Sequence, residues 1–153
     1  MAIKIAVVNE FINNETRVAV VPEIAQKIAS NNVSFVIQKN AGAASGFLDS
    51  DYPDNACKFV KSSSDALNDA DVLFKVNPPT SDEIKSMKKG AIAISYMSPF
   101  QNDTLIKSMA SSEIDAFSVE LIPRISRAQS MDALSSQASI AGYKAVILAA
   151  NHA

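Results

Sequence analysis

An open, mostly parallel α/β sheet of flavodoxin-like order, doubly wound with helices on both faces and ending in a long C-terminal helix, is the fold this sequence predicts. Three observations carry that prediction. Apolar residues recur as short, near-continuous runs rather than alternating ones, as strands covered on both faces require. Helix-start signals stand between those runs, so strands and helices alternate at the spacing of right-handed crossovers. The stretch from about Met131 to His152 contains no proline and one glycine, and reads as a single helix.

Taken in order, Ile5–Val8 is the first strand. Pro22 can occupy the first turn of a helix through Ile24, Ile28 and Ala29, where its missing N–H costs nothing. Phe35–Ile37 is the second strand, and Cys57–Val60 a weaker one. Val72–Val76 follows, and then Thr80-Ser-Asp-Glu83, a capping box opening a helix that includes Ile84 and Met87. Ala91–Ser95 is the next strand; Asn102 or Asp103 can cap the segment containing Leu105, Ile106 and Met109. Ala116–Val119 is the last strand. On the final helix Leu134, Ala138, Ala141, Ala145 and Leu148 form one apolar stripe, and Ile140, Tyr143, Ile147 and Ala150 another. A helix apolar on two faces must be covered on two sides. The pattern reaches the last residue without a C-cap, so a chain truncated after Ala153 is the expectation.

The 153 residues suit one domain, and 48% hydrophobic with 20% charged residues excludes disorder. A net charge of −2 gives no electrostatic footprint for nucleic acid. With one cysteine, Cys57, and one histidine, His152, no thiolate or imidazole metal site is expected, and a Ser-His-Asp triad is disfavoured. No apolar run approaches the roughly 20 residues of a membrane helix, and the N-terminus does not read as a signal peptide. The expected location is cytoplasmic.

A pyrophosphate cradle needs G-x-G-x-x-G between strand and helix. Gly42-Ala-Ala-Ser-Gly46 is the only close glycine pair and lacks the central glycine, so it reads as a plain loop. The stretch Asn9 to Thr16 is too acidic and bulky for a flavin phosphate loop, and no clear strand ends in a phosphoacceptor aspartate. Two stretches are richer. Asn14 to Pro22 sets Arg17 ahead of a helix start. Pro123 to Ser136 crowds Arg124, Arg127, Gln129, Asp132 and Ser135 between a strand and the long helix, at the sheet edge where ligands collect. Alternatives stand beside these readings. Asp132 or Ser130 can simply cap the long helix, and either arginine can pair with Glu120. Lys75, inside an apolar strand, can snorkel from the strand end.

The run PRISRAQSMDALSSQASIAGYKAV closely resembles the signature of the proton-translocating NAD(P) transhydrogenases, in their NAD(H)-binding component. NETRVAVVPE, NAGAASGFLDSDY, VLFKVNPPTSDEI and MKKGAIAISYMSPFQN support it in order along the chain. ETRVAVVPE and KVNPP are shared with the related alanine dehydrogenases. The resemblance implies that residues 1–153 are the N-terminal subdomain of that component, without the glycine-rich dinucleotide-binding subdomain. It implies a homodimer that docks to a separate NADP(H)-binding component and a membrane proton-channel component, peripheral on the cytoplasmic face of the inner membrane. It further implies that Arg124, Gln129, Asp132 and Ser135 contact the nicotinamide end of NAD(H), with Gln129 and Asp132 closest to the chemistry.

The chemistry of those side chains fits that role. A carboxamide offers one acceptor oxygen and an NH2 donor, so Arg124 can donate to it and Asp132 accept from it. Ser135 can do either, and Gln129 can reach the neighbouring component. Hydride exchange between nicotinamides moves no proton at the reacting carbons, so it needs no general acid or base. An alanine dehydrogenase does need one, and that family uses a histidine after the fifth strand. Here the stretch reads Ser95-Tyr-Met-Ser-Pro-Phe100, although the family's substrate-carboxylate residues align with Arg17 and Lys75. The alternative reading is therefore the N-terminal domain of an alanine dehydrogenase-like enzyme.

Overall fold

The computed structural model describes residues 3–10, 14–29 and 32–152. Among these, six strands form one wholly parallel sheet: β1 (Ile3–Val7), β2 (Val33–Gln38), β3 (Cys57–Val60), β4 (Val72–Phe74), β5 (Ile92–Ser95) and β6 (Asp115–Ser118). Their spatial order is β3-β2-β1-β4-β5-β6. The five clear apolar runs, without β3, thus stand in the flavodoxin-like order expected. The weaker Cys57–Val60 run adds a sixth strand outside β2. The whole sheet then has the order of doubly wound dinucleotide folds, reversing between β1 and β4.

Near-continuous apolar runs are what the inner strands of such a sheet need, because successive side chains point to opposite faces and both faces are covered. Edge strand β6 departs from this, with Asp115, Ala116 and Phe117 exposed. Ile5 and Val7 of β1, with Phe35 and Ile37 of β2, pack on one face beneath Ala25 of α1 (Pro22–Ile28) and Val18, Val20 and Tyr52. Ala6, Leu73 and Ala93 face the other way. There they meet Ala66 and Leu67 of α2 (Ser63–Leu67), Ile84 of α3 (Ser81–Ser86) and Met109 of α4 (Asp103–Ser111). Each fully buried valine, leucine, isoleucine, phenylalanine or methionine side chain contributes about 1.5–3 kcal/mol.

The helix starts follow local chemistry. Pro22 is in the first turn of α1, and Thr80 and Glu83 form the reciprocal capping box of α3. Helix α2 is not among the expected elements. Its signal is Ser62, whose hydroxyl accepts the Asp65 N–H at 3.1 Å. Asn102 precedes α4 as expected but does not cap it; its Nδ2 donates to the Met97 carbonyl at 2.8 Å. Strand β4 ends at Phe74, two residues early, because the Val76 and Asn77 N–H groups turn to the Glu10 carboxylate.

The long helix α5 runs Ala133–His152 and buries none of its residues. Ile140, Tyr143, Val146, Ile147 and Leu148 are all exposed, so neither apolar stripe is covered by the described residues. None of the described helices is long and apolar enough to cross a membrane.

The Gly42–Gly46 segment is a turn, as expected. Gly46 has φ +85°, and a Cβ on Gly42 would stand 2.8 Å from the Tyr52 hydroxyl. That hydroxyl donates to the Val20 carbonyl inside the core at 3.0 Å, so it has little room to move. Gly42→Ala is accordingly expected to lower the unfolding free energy by about 1–3 kcal/mol through overpacking, measured by urea denaturation.

Candidate functional site

The strand order reverses at the carboxyl ends of β1 and β4, and a crevice opens where neighbouring connections diverge. A cleft of about 770 Å³ lies there. Its walls come from the segment after β1 (Arg17, Val18), the ends of β4 and β5 (Lys75, Tyr96), and the chain beyond β6 (Ile122, Met131).

Carboxylates organise the cleft's rim. Beyond the last ladder bond a strand's N–H groups lose their partners and need new acceptors. Glu10, just past β1, accepts from the Val76 and Asn77 N–H groups and, at 3.2 Å, from Asn77 Nδ2. Burial raises its pKa, partly offset by those donors and by Lys75. Lys75, only 5% exposed, does not snorkel; its Nζ donates to both Glu83 oxygens at 2.9 and 2.6 Å. Glu83 also accepts the Thr80 N–H at 2.7 Å, so one carboxylate serves both the capping box and the buried ammonium.

Arg17 donates to Glu15 through Nε at 2.8 Å and Nη2 at 2.7 Å, and its guanidinium lies 6.0 Å from the centre of the Tyr96 ring. That pairing with Arg17 holds the Glu15 carboxyl down at about 2, against the opposing effect of burial. Both cations that align with a substrate-carboxylate site therefore reach the cleft already paired with carboxylates. Residues 11–13, within the acidic stretch after β1, lie outside the described residues.

The second rich stretch flanks the cleft's mouth: Ser130, Met131 and Ala133 line it, while the expected Arg124, Gln129, Asp132 and Ser135 stand beside it and are not among the lining residues. A 3-10 segment, Ser126–Met131, leads into α5. Asp132 is the cap of α5: its Oδ1 accepts the Ser135 N–H at 3.0 Å and its Oδ2 the Ser135 hydroxyl at 2.5 Å. These two bonds from Ser135, with the charge of Arg124 behind them, lower the Asp132 pKa. Ser135 thus has its proton committed to Asp132 and is left as an acceptor, rather than free to play either part. Ser130 is no cap, and neither arginine pairs with Glu120. The side chains of Arg124 and Gln129 are exposed and make no hydrogen bond or ion pair among the described residues, while the Gln129 carbonyl accepts the Asp132 N–H at 3.3 Å. The four expected site residues therefore lie along one short stretch that runs into the first turn of α5, with Asp132 and Ser135 held in the cap and the side chains of Arg124 and Gln129 exposed.

Sequence reasoning treated Glu120 only as a partner for arginine and did not single out Glu10. Glu120 instead accepts the Met97 N–H at 2.9 Å and the Ser98 N–H. Acids immediately after apolar runs were the available signal. No histidine lines the cleft; His152 lies at the far end of α5. No group of histidine, cysteine and carboxylate side chains among the described residues could hold a metal ion.

Residues 6–141 match the family model described as alanine dehydrogenase/PNT, N-terminal domain. The chain is 39% identical over 147 residues to the NAD(P) transhydrogenase subunit alpha of Haemophilus influenzae, covering 96% of this chain and 28% of that protein. A transhydrogenase alpha-subunit polypeptide of Rickettsia prowazekii is 37% identical over 153 residues, covering 97% of this chain and 40% of its own. The chain thus spans well under half the length of these relatives. The crystal structure of a transhydrogenase from Sinorhizobium meliloti superposes with a TM-score of 0.89 at 40% identity, over 97% of this chain and 44% of that one. An L-alanine dehydrogenase structure superposes less closely, with a TM-score of 0.71 at 25% identity over 77% of this chain and 32% of its own.

Two outcomes are expected from the rim. Glu83→Ala strands Lys75 as an unpaired buried charge and should cost about 3–5 kcal/mol in urea denaturation. Because Glu15 is shifted downward, its contribution to stability is complete above its ordinary value near 4.5 and drains away as pH falls toward about 2. Glu15→Gln should flatten the unfolding free energy across that acid window.

Proposed function

The chain belongs to the alanine dehydrogenase/PNT N-terminal-domain family, and we propose that it is the N-terminal subdomain of the NAD(H)-binding component of a proton-translocating NAD(P) transhydrogenase. In this reading residues 1–153 supply the nicotinamide-facing loop, and a glycine-rich subdomain elsewhere in the longer protein anchors the pyrophosphate. The enzyme assembles as a homodimer with an NADP(H)-binding component and a membrane component that conducts protons. It sits on the cytoplasmic face of the membrane through that complex.

The observation that carries the reading is the loop at the cleft's mouth, where Arg124 and Gln129 stand free beside the Asp132 carboxylate. The donor set fits a nicotinamide carboxamide: a guanidinium for its oxygen, a carboxylate with unused lone pairs for its NH2. When bound, the nicotinamide ring supplies or accepts the hydride. The protein's part is to hold that ring in register with a second one, reacting carbons about 3–3.5 Å apart and water excluded. Apolar Val18, Ile122 and Met131 on the cleft wall suit a ring face. Gln129, exposed and carrying both donor and acceptor, suits contact with the NADP(H)-binding component.

The alanine dehydrogenase alternative needs a proton carrier at the substrate nitrogen. The cleft offers Tyr96 where β5 ends and no imidazole. Arg17 and Lys75 are paired with carboxylates, as expected of structural residues. The closer likeness to transhydrogenases supports the same choice.

The test is rapid-reaction hydride transfer by the full-length enzyme with its NADP(H)-binding component. Alanine at position 132 would confuse two roles, since it removes the cap of α5 at a cost of about 1 kcal/mol. Asp132→Ser keeps a capping oxygen and removes the carboxylate. Asp132→Ser and Gln129→Ala should each slow transfer by about a hundredfold with unchanged thermal unfolding. Near-wild-type rates in both would refute the proposal, and ammonium-dependent reduction of pyruvate would establish the alternative.

A further inference from the structure

The segment after β5 carries Tyr96 into the cleft, and its geometry is demanding. Tyr96 N–H donates to the Val76 carbonyl at 3.0 Å, which holds the segment to the end of β4. Met97 then turns wholly into the core, and Ser98 adopts φ +45°, a left-handed conformation that is costly for a residue with a Cβ. Such local strain persists only where surrounding structure over-determines it. Here Asn102 Nδ2 holds the Met97 carbonyl, and the Glu120 carboxylate accepts the N–H groups of both Met97 and Ser98.

Glu120 lies in the 3-10 turn Val119–Leu121, where the chain leaves β6. Four residues later comes Arg124, the first member of the loop at the cleft's mouth. On either side of Glu120, Val119 and Ile122 line the same cleft as Tyr96. One carboxylate therefore joins the cleft's floor to the root of its mouth. Burial works against its charge, but its own N–H and the N–H groups of Ser98 and Met97 act the other way, and its pKa is lowered. It keeps its charge, and so its strength as an acceptor, throughout the neutral range.

We propose that Glu120 is a positioning residue for hydride transfer: by clamping the Tyr96–Ser98 turn to the base of the 124–135 loop, it sets the distance between the two walls that frame the nicotinamide. The inference rests on the proposed function, but the clamp itself can be read without catalysis. Glu120 touches no reacting atom; it acts through Tyr96 and Arg124.

The test uses full-length enzyme carrying Glu120→Ala or Glu120→Gln, with its NADP(H)-binding component present. Two readouts are taken: single-turnover hydride transfer with NADH affinity, and amide hydrogen exchange. Glu120→Ala should slow transfer by about tenfold or more while NADH affinity, governed by a pyrophosphate site elsewhere, changes by less than about threefold. Glu120→Gln keeps an acceptor oxygen for both N–H groups and should stay within about threefold of the parent rate. Exchange at Met97, Ser98 and residues 122–131 should rise in the alanine variant alone.

Unchanged transfer in Glu120→Ala overturns the proposal. So does equal damage in both variants, because the acceptor is then not what matters. If the parent enzyme transfers no hydride at all, the functional reading fails, and exchange alone judges the clamp. Loss of protection at Met97 and Ser98 then upholds it, and unchanged protection sinks it.

Discussion

Every strand of a parallel sheet ends at the same edge as its neighbours, and each ending leaves backbone N–H groups without a ladder partner. Leaving such a group buried and unpaired costs about 1–3 kcal/mol. This chain meets the need with carboxylates set just beyond its strands. Glu10, after β1, takes the N–H groups that follow β4, and Glu120, after β6, takes those that follow β5. Glu83 crosses from α3 to the ammonium of Lys75 at the end of β4. The edge that must be open for a ligand is thereby made rigid by side chains that each tie two elements together.

That rigidity bears on the chemistry proposed for the cleft. Direct transfer between two rings depends on distance and alignment far more than on acids and bases, so the protein's contribution is geometric. A cleft floor pinned by Glu10 and Glu120, and a mouth whose Asp132 is itself fixed by the α5 cap, suit that requirement. Capping and cofactor contact do not compete at Asp132. A carboxylate has about four lone-pair sites, and the two bonds from Ser135 leave room for a ligand's NH2. The bland and the functional readings of that residue are compatible.

Family membership and site chemistry answer different questions. An alanine dehydrogenase and a transhydrogenase both superpose on this sheet, so the fold alone does not choose between their reactions. The choice turns on what stands at the end of β5 and on the loop before α5. Tyr96 stands there with no imidazole beside it in the cleft, and the loop offers two exposed polar side chains, Arg124 and Gln129.

Periodicity and end signals in the sequence determined the alternation of elements, the two-faced burial of the inner strands, the capping box at Thr80 and the long final helix. These are local properties, decided within a few residues of one another. Tertiary structure decided what required distant segments to meet. The order of the sheet was one such matter, because Cys57–Val60 becomes a strand only against β2. The fate of Lys75 was another, since a lysine in an apolar strand is tolerable only where a partner such as Glu83 folds over it. The acids Glu10 and Glu120 read as ordinary surface charges until the strand ends are brought side by side, for the acceptors they supply answer donors some 66 and 22 residues away.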